Sequence, residues 1–175
     1  MAQCRKCGGG FCGGAAYGVS EADLRDGLES FRGAKRRFEY ILRSPEIIFI
    51  DDYAHHPEEI KAFLSSVKQM YPGKKVTTIF QPHLFTRTRD FAVGFAESLS
   101  LADELVLLDI YPARELPIEG VTSKMLLDKV TITHKELCSK GELLDKMRHR
   151  HPEVLVTIGA GDIDQLVEPL KKLYE

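Results

Sequence analysis

Short apolar runs alternate with segments of helical periodicity along most of the chain. The runs are rich in β-branched side chains and bounded by turn residues, which predicts strands. We predict strands at residues 38–42, 47–50, 75–80, 104–108, 130–133 and 154–158, and helices at 20–33, 57–71, 90–99, 123–127, 141–148 and 163–173. Such alternation predicts an α/β fold, with a doubly wound, mostly parallel, Rossmann-like sheet of about six strands. The first strand turns back through Ser44 and Pro45, so we expect it to be the one antiparallel strand.

The stretch IIFIDDYAHHPEE, residues 47–59, places polar side chains at the end of a buried strand. Its four leading apolar residues show no alternation, as expected for a strand covered on both faces. Pro57 suits the first position of a helix, which makes His56 the N-cap residue. The positive end of the helix dipole disfavours a protonated imidazole. We therefore hypothesise that His55 and His56 are neutral near pH 7.

Polar residues also follow three other predicted strands, in the segments 81–89, 109–115 and 159–162. The carboxyl ends of parallel strands share one edge of the sheet, where open α/β sheets bind ligands. His83, with Arg87 and Arg89, indicates a receptor for carboxylate or phosphate, because guanidinium groups match both anions. The alternative is a solvated basic loop that precedes a helix capped by Asp90.

Two other features of this edge have more than one reading. The aspartates and histidines of residues 51–56 are metal-ligand types, but neighbours on one loop rarely point to one centre, so we predict no protein-held metal. Gly159 and Gly161 are typical of a tight turn as well as of a phosphate loop. The sequence has neither a Walker A motif nor a G-x-G-x-x-G after a strand, so the phosphates of a ligand must be held by something else.

Composition narrows the class of protein. Of 175 residues, 43% are hydrophobic and 29% are charged, which is typical of one globular domain. A net charge of −2 argues against a general nucleic-acid partner. No apolar run reaches the roughly 18 to 20 residues of a membrane span, and we find no signal peptide. We expect a cytoplasmic protein without a membrane partner.

Three of the four cysteines, Cys4, Cys7 and Cys12, lie in a glycine-rich start of the chain. They could form half of a zinc site, but no second pair of ligands follows at a usual spacing. We therefore interpret residues 1–16 as an irregular leader. We expect Cys138 to be a packing residue and predict no disulfide.

Several motifs in order resemble the C-terminal domain of the Mur ligases, in the branch that joins L-alanine to UDP-N-acetylmuramate. They are GAKRRFE at 33–39, DDYAHHP at 51–57, FQPH at 80–83 with TRT at 86–88, and IYPARE at 110–115 with PI at 117–118 and Gly120. The likeness runs from about Gly18 to the end of the chain. One departure is Leu84, where many members have arginine.

The resemblance implies the last part of a three-domain, ATP-dependent ligase of peptidoglycan precursor synthesis. It implies that residues 17–34 are the terminal helix of a central domain that holds ATP and Mg²⁺, and that residues 35–175 bind the amino acid and close over the nucleotide. ATP phosphorylates the lactyl carboxylate, and the amine of L-alanine attacks the acyl phosphate. The expected partners are UDP-N-acetylmuramate, L-alanine and the remainder of the ligase chain, without which this part would be inactive.

Roles for single residues also follow from the resemblance. Arg37 and Asp52 match residues that contact nucleotide phosphate and ribose. The implied catalytic residues are His55, His56, His83 and Arg87. The implied substrate-binding residues are Tyr53, Arg87, Arg89 and Arg114.

Three other functions compete with this one. A recycling ligase that attaches a tripeptide to the same UDP-sugar shares the Asp-His-His-Pro segment, but the segment 81–88 favours the alanine enzyme. The missing P-loop permits a standalone nucleotide-binding module of Rossmann-like shape. A metal-dependent hydrolase would use His55, His56 and Asp52.

Overall fold

A computed structural model describes residues 19–31 and 33–175 of the chain. The strands are β1 Glu39–Arg43, β2 Ile48–Asp52, β3 Val76–Phe80, β4 Glu104–Leu108, β5 His134–Cys138 and β6 Val154–Ile158. The α-helices are α1 Glu21–Ser30, α2 Pro57–Met70, α3 Phe85–Asp90, α4 Ala92–Leu99, α5 Ser123–Lys129, α6 Lys140–Arg148 and α7 Val167–Tyr174, with a 3₁₀ helix at Asp162–Leu166. The predicted leader, with Cys4, Cys7 and Cys12, lies outside the described residues.

The chain divides into two compact units, residues 1–33 and 34–175. Within the first unit, Ser20 caps α1 by accepting a hydrogen bond from the amide of Asp23 at 3.1 Å, as its sequence predicts. The helix was expected to run to Gly33, but it ends at Ser30, because Phe31 has an extended backbone.

The second unit is built on one six-stranded sheet with the order β1, β2, β6, β3, β4, β5. β1 pairs antiparallel with β2, and the other described pairings are parallel. This confirms the predicted fold class and its single antiparallel strand. Because β6 lies between β2 and β3, the carboxyl ends of these three strands are neighbours.

Helices cover both faces of the sheet, and successive strand residues enter opposite layers. Ile50 and Phe80 face α2, α4 and α5, whose Leu64, Phe95 and Leu126 are buried in the same layer. The other layer is formed by Phe49, Ile79 and Val106 with α6 and α7. Burial on both faces explains why β3 and β6 do not alternate between buried and exposed residues, even where they contain threonines. Cys138 is buried, as expected of a packing residue.

The predicted position of the fifth strand, residues 130–133, is wrong. Val130 ends α5 and is buried, and the strand itself follows at His134–Cys138. β5 is an edge strand whose charged residues have partners, since Lys135 donates to the carbonyls of Leu127 and Val130, and Glu136 pairs with Lys146 and Arg150. Charged residues are common on edge strands, and those of β5 pair with groups in other elements, so the strand has no apolar run that the sequence could show.

Among the described residues, no helix combines the length and apolar character needed to cross a membrane.

Candidate active site at the carboxyl edge of the sheet

Four loops at the carboxyl ends of the parallel strands are tied together by backbone hydrogen bonds. The amide of Gly159, after β6, donates to the carbonyl of Asp52, and the amide of Gln81, after β3, donates to that of Ile158. The loops after β3 and β4 form a short parallel bridge between His83 and Tyr111. The segments 51–56, 81–89, 109–115 and 159–162 therefore converge, as the fold rule predicts.

The two aspartates that end β2 have different surroundings. Asp51 is buried and accepts hydrogen bonds from Arg36 Nε at 2.9 Å and from the Thr157 hydroxyl at 2.6 Å. Asp52 accepts from the amides of Phe38 at 2.7 Å and Ala54 at 2.8 Å. Burial raises the pKa of Asp52, although these two amides oppose the rise. Each oxygen of Asp52 keeps a second lone pair with which to accept a ligand hydroxyl.

Arg36 is a residue whose importance the sequence did not reveal. Besides its ion pair with Asp51, it donates through Nη2 to the carbonyl of Gly159 at 2.6 Å, and its guanidinium lies 5.2 Å from the centre of the Tyr53 ring. Its carbonyl accepts a hydrogen bond from the Tyr53 amide at 2.8 Å. Three consecutive basic residues precede Phe38, and nothing local shows which of them turns inward.

Arg37, the residue assigned to nucleotide phosphate, is exposed. Its side chain has no hydrogen bond or ion pair with the residues that the structure describes. The next residue, Phe38, donates its amide hydrogen bond to the Asp52 carboxylate, so the backbone at Arg37 lies near Asp52. The pairing of Arg37 with Asp52 around a nucleotide stays a prediction.

His56 is the N-cap residue of α2, as predicted. The carboxylate of Glu59 accepts hydrogen bonds from the amides of His55 at 3.0 Å and His56 at 3.2 Å, which fixes the turn. Burial by itself raises the pKa of Glu59, but these amides and the two imidazoles outweigh it and lower the pKa. The His55 Nδ1 atom lies 3.0 Å from the Tyr53 carbonyl, and the His56 ring packs 4.6 Å from that of Phe91. The hypothesis that both imidazoles are neutral stays untested.

His83 and Arg87 are partly buried, and each has one fully buried nitrogen atom. His83 Nδ1 and Arg87 Nη1 are buried without a hydrogen-bond partner in the part of the chain that the structure describes. The His83 ring stacks on Tyr111 at 5.6 Å and lies 6.4 Å from the His55 ring. Burial lowers the pKa of His83, and the charge of Arg87 lowers it further. A neutral imidazole beside an unpaired guanidinium suits a ligand with a carboxylate or phosphate group.

Residues 85–90 form a short helix, α3, which the sequence did not predict, since it placed the start of the next helix at Asp90. α3 begins at Phe85 after Leu84, which has a φ of 72° and a ψ of 135°. Asp90 does not cap the next helix, since it ends α3 and binds Arg89 Nε at 2.7 Å, and Phe91 is the N-cap of α4. Six residues form only about 1.7 turns, which is too short for hydrophobic periodicity to show.

The implied substrate-binding residues Tyr53, Arg89 and Arg114 are exposed around this site. The Tyr53 ring meets that of His55 edge-on at 5.3 Å, so it lies beside the histidines. Arg89 is engaged by Asp90, and Arg114 follows Ala113, whose φ is 51°. Their contacts with a substrate stay predictions.

Gly159 and Gly161 allow close packing after β6. A Cβ atom on Gly161 would lie 2.6 Å from Gln81 Oε1 and 2.8 Å from the Tyr111 side chain. Gln81 itself bridges to the 3₁₀ helix, donating to Asp162 at 2.9 Å and accepting from the Ile163 amide at 3.0 Å. This supports the tight-turn reading of the glycines over the phosphate-loop reading.

In residues 19–31 and 33–175, no three His, Cys, Asp or Glu side chains come together as metal ligands would. The carboxylates of Asp51 and Asp52 are already bound by Arg36, Thr157 and backbone amides.

The six-stranded, mostly parallel sheet with helices on both faces defines the class of an α/β domain of Rossmann-like architecture. A family model described as "Mur ligase, glutamate ligase domain" matches residues 36–165, and the chain belongs to that family. Its curated relatives include UDP-N-acetylmuramate--L-alanine ligases. That of Parabacteroides distasonis is 57% identical over 89% of this chain and 34% of its own length.

Solved structures of ligases also resemble this chain. The UDP-N-acetylmuramate-alanine ligase of Thermotoga maritima is 31% identical with a TM-score of 0.74, covering 94% of this chain and 35% of that one. A murein peptide ligase from Psychrobacter arcticus shares the fold at 22% identity and a TM-score of 0.65, over 91% of this chain and 34% of that chain. The chain thus spans about a third of the length of the relatives it matches.

Proposed function

We propose that this chain is the C-terminal, amino-acid-binding domain of an ATP-dependent ligase that joins L-alanine to UDP-N-acetylmuramate in the cytoplasm. The observation that supports this most directly is that one buried nitrogen atom each of His83 and Arg87 has no partner among the described residues, in a domain of the Mur ligase family. The high identity to alanine ligases supports the choice of amino acid. Residues 17–34 would then end the preceding domain.

The groups on this chain fit part of the nucleotide. Asp52, with free lone pairs on both oxygens, would accept hydrogen bonds from a ribose, and the exposed Arg37 would bind a phosphate. Bound ATP supplies the phosphoryl group that activates the carboxylate of the sugar substrate. Mg²⁺ would be held mainly by the remainder of the ligase, together with UDP-N-acetylmuramate.

At the other side of the site, Arg87 would bind the negative charge of the amino-acid carboxylate or of the acyl phosphate. Donors that are already oriented toward developing charge stabilise a transition state strongly in a site without water. The attacking amine must lose a proton, and a neutral imidazole of His55, His56 or His83 could accept it. The lowered pKa of His83 favours that neutral form.

The experiment is a chimeric ligase in which residues 21–175 replace the matching third of the Parabacteroides distasonis enzyme. We expect phosphate release that requires ATP, UDP-N-acetylmuramate and L-alanine together, and that is lost when Arg87 is changed to alanine. The parent enzyme is the positive control. A folded chimera that is inactive with L-alanine would overturn the proposal.

The same assay separates the alternatives. Activity with the tripeptide in place of L-alanine would favour the recycling ligase. An inactive chimera, combined with tight ATP binding by this chain alone, would favour a standalone nucleotide-binding module. A metal-dependent hydrolase would require a bound metal ion in elemental analysis of the purified chain.

A further inference from the structure

The helix that presents Arg87 is fastened from another loop. α3 has no side-chain cap from its own N-cap residue, Leu84. Instead, Glu115, from the loop after β4, accepts hydrogen bonds from the Thr86 amide at 3.0 Å and from the Thr86 hydroxyl. The free amides in the first turn of a helix need acceptors, and a carboxylate there is also stabilised by the positive end of the helix dipole.

A second attachment lies next to the first. The amide of Leu84 donates to the carbonyl of Tyr111 at 2.9 Å, and the amide of Tyr111 donates to that of Pro82 at 2.8 Å. The loop after β4 then turns back, with the Glu115 amide bound to the Pro112 carbonyl at 2.9 Å. Backbone bonds thus fix the start of the segment, while Glu115 fixes the first turn of the helix itself.

The backbone at the start of α3 is strained, so the hydrogen bonds from Thr86 to Glu115 are needed to hold it in this conformation. Leu84 has a φ of 72° and a ψ of 135°, a region that side chains other than glycine rarely occupy. Strained residues persist only where their surroundings hold them. The Thr86 hydroxyl and amide hold the pKa of Glu115 below its usual range, so the carboxylate is charged at neutral pH.

We propose that Glu115 is a positioning residue that orients α3, and through it Arg87, toward the substrate anion. This rests on the function proposed above. Arg87 follows Thr86 directly, and its Nη1 is buried without a described partner, so no bond of that atom holds it in place. Losing the Glu115 contact would let the first turn of α3 move, while Arg37 and Asp52 would remain where they are.

The first test uses the ligase described above with Glu115→Ala and, as a matched control on the same loop, the exposed Glu119→Ala. Misplacement of a substrate-positioning group by about 1 Å can cost roughly 10²-fold. We expect kcat/KM for L-alanine to fall about 10²-fold with Glu115→Ala, with KM for ATP unchanged, and no effect of Glu119→Ala. A general loss of folding would change both substrates alike, which would contradict a positioning role.

Two further variants identify the contact. Thr86→Val removes the hydroxyl but keeps the side-chain shape, and the double variant Thr86→Val, Glu115→Ala should be no worse than Glu115→Ala alone, since both act through one contact. Glu115→Gln keeps one acceptor oxygen and should recover part of the activity. Additive losses would overturn the proposal.

A measurement on the chain alone separates this inference from the proposed function. In NMR spectra, Glu115→Ala should speed hydrogen exchange of the Thr86 amide and shift the Arg87 Nε signal, whereas Glu119→Ala should not. If the spectra are unchanged, the positioning role is wrong even in an active ligase. If they change while the unaltered chimera is inactive, the structural link stands and the proposed substrate is wrong.

Discussion

Two nitrogen atoms, His83 Nδ1 and Arg87 Nη1, are unusual because they are buried without described partners. Buried polar atoms in native proteins nearly always have a hydrogen-bond partner, and leaving one without a partner costs about 1 to 3 kcal/mol. Such a cost is reasonable where a ligand supplies the missing partner. Replacing either residue by one without the unsatisfied nitrogen should therefore weaken ligand binding but remove this cost to folding stability.

The pKa of His83 predicts how stability depends on pH. Burial, Arg87 and His55 lower this pKa in the folded chain, while Glu115 raises it to a smaller extent. The unfolded chain therefore takes up the proton first as pH falls below about 6.5, so the stability due to neutral His83 is lost toward acid pH. We expect His83→Gln to flatten the decrease in unfolding free energy between pH 7 and pH 5 in urea denaturation. His151→Gln, at an exposed position, is the control, and an equal flattening there would contradict the assignment.

Arg87 should matter for turnover more than for folding. In the active ligase, Arg87→Ala should lower kcat about 10²-fold or more, as for other lost transition-state donors. Arg87→Lys should not restore it, because an ammonium group lacks the planar fork of donors. The exposed Arg148→Ala on α6 is the control. Unchanged kinetics of Arg87→Ala in a steady-state assay would refute the role.

At the scale of one element, β3 places two adjacent threonines in different environments. All five of its residues are buried. The Thr77 hydroxyl donates to Glu104 Oε2 at 2.9 Å, whereas the Thr78 hydroxyl, on the opposite face, has no described partner. The run of residues suited to a buried strand predicts β3, but the contribution of each hydroxyl to folding stability depends on the side chains of the neighbouring strands.

We expect Thr78→Val to stabilise the chain and Thr77→Val to destabilise it. Valine has nearly the shape of threonine, so Thr78→Val removes an unsatisfied buried hydroxyl and should add about 1 kcal/mol to the unfolding free energy. Thr77→Val breaks a hydrogen bond to a charged acceptor and should cost about 1 to 2 kcal/mol. Chemical denaturation of both variants provides the measurement, and effects of the same sign would contradict it.

The turn after β6 gives a second pair of matched substitutions. Gly161→Ala would place a Cβ atom 2.6 Å from Gln81 Oε1, so we expect a loss of about 1 to 3 kcal/mol from overpacking. Gly141→Ala in α6 meets nothing within 4 Å and should stabilise by about 0.5 to 1 kcal/mol through helix propensity. Thermal unfolding of both variants tests this, and a neutral Gly161→Ala would show that the turn is looser than its packing indicates.

At the scale of the whole second unit, Arg36 joins the segment before β1 to the ends of β2 and β6. Its guanidinium binds the buried Asp51 and the Gly159 carbonyl, and Asp51 in turn binds Thr157. The next residue, Arg37, is exposed instead. Neighbouring arginines thus have separate tasks, one in holding the fold and the other in the proposed nucleotide contact.

Replacing each arginine separately tests this division. Arg36→Ala leaves Asp51 buried without its cation, which typically costs about 3 to 5 kcal/mol. Arg37→Ala should change the unfolding free energy by less than about 0.5 kcal/mol, as for most surface substitutions, while raising KM for ATP in the ligase. Urea denaturation and steady-state kinetics measure the two effects. Equal stability losses would show that both arginines are structural.

The sequence by itself determined the α/β class, the antiparallel first strand, the exact bounds of β4 and β6, and the N-cap position of His56. These depend on local signals: apolar runs, a proline at a helix start and turn residues next to each run. It also predicted that the polar segments converge, since the carboxyl ends of parallel strands must meet at one edge.

Only the tertiary structure decided which arginine reaches Asp51, where β5 lies, and which polar atoms of the site have no partner. Arg36 and Asp51 are 15 residues apart, and the charged side chains of β5 find partners in α5, α6 and the loop that follows α6. These outcomes depend on contacts between segments distant in sequence, and the free energy of a buried charge or hydroxyl is set by what surrounds it rather than by its neighbours along the chain.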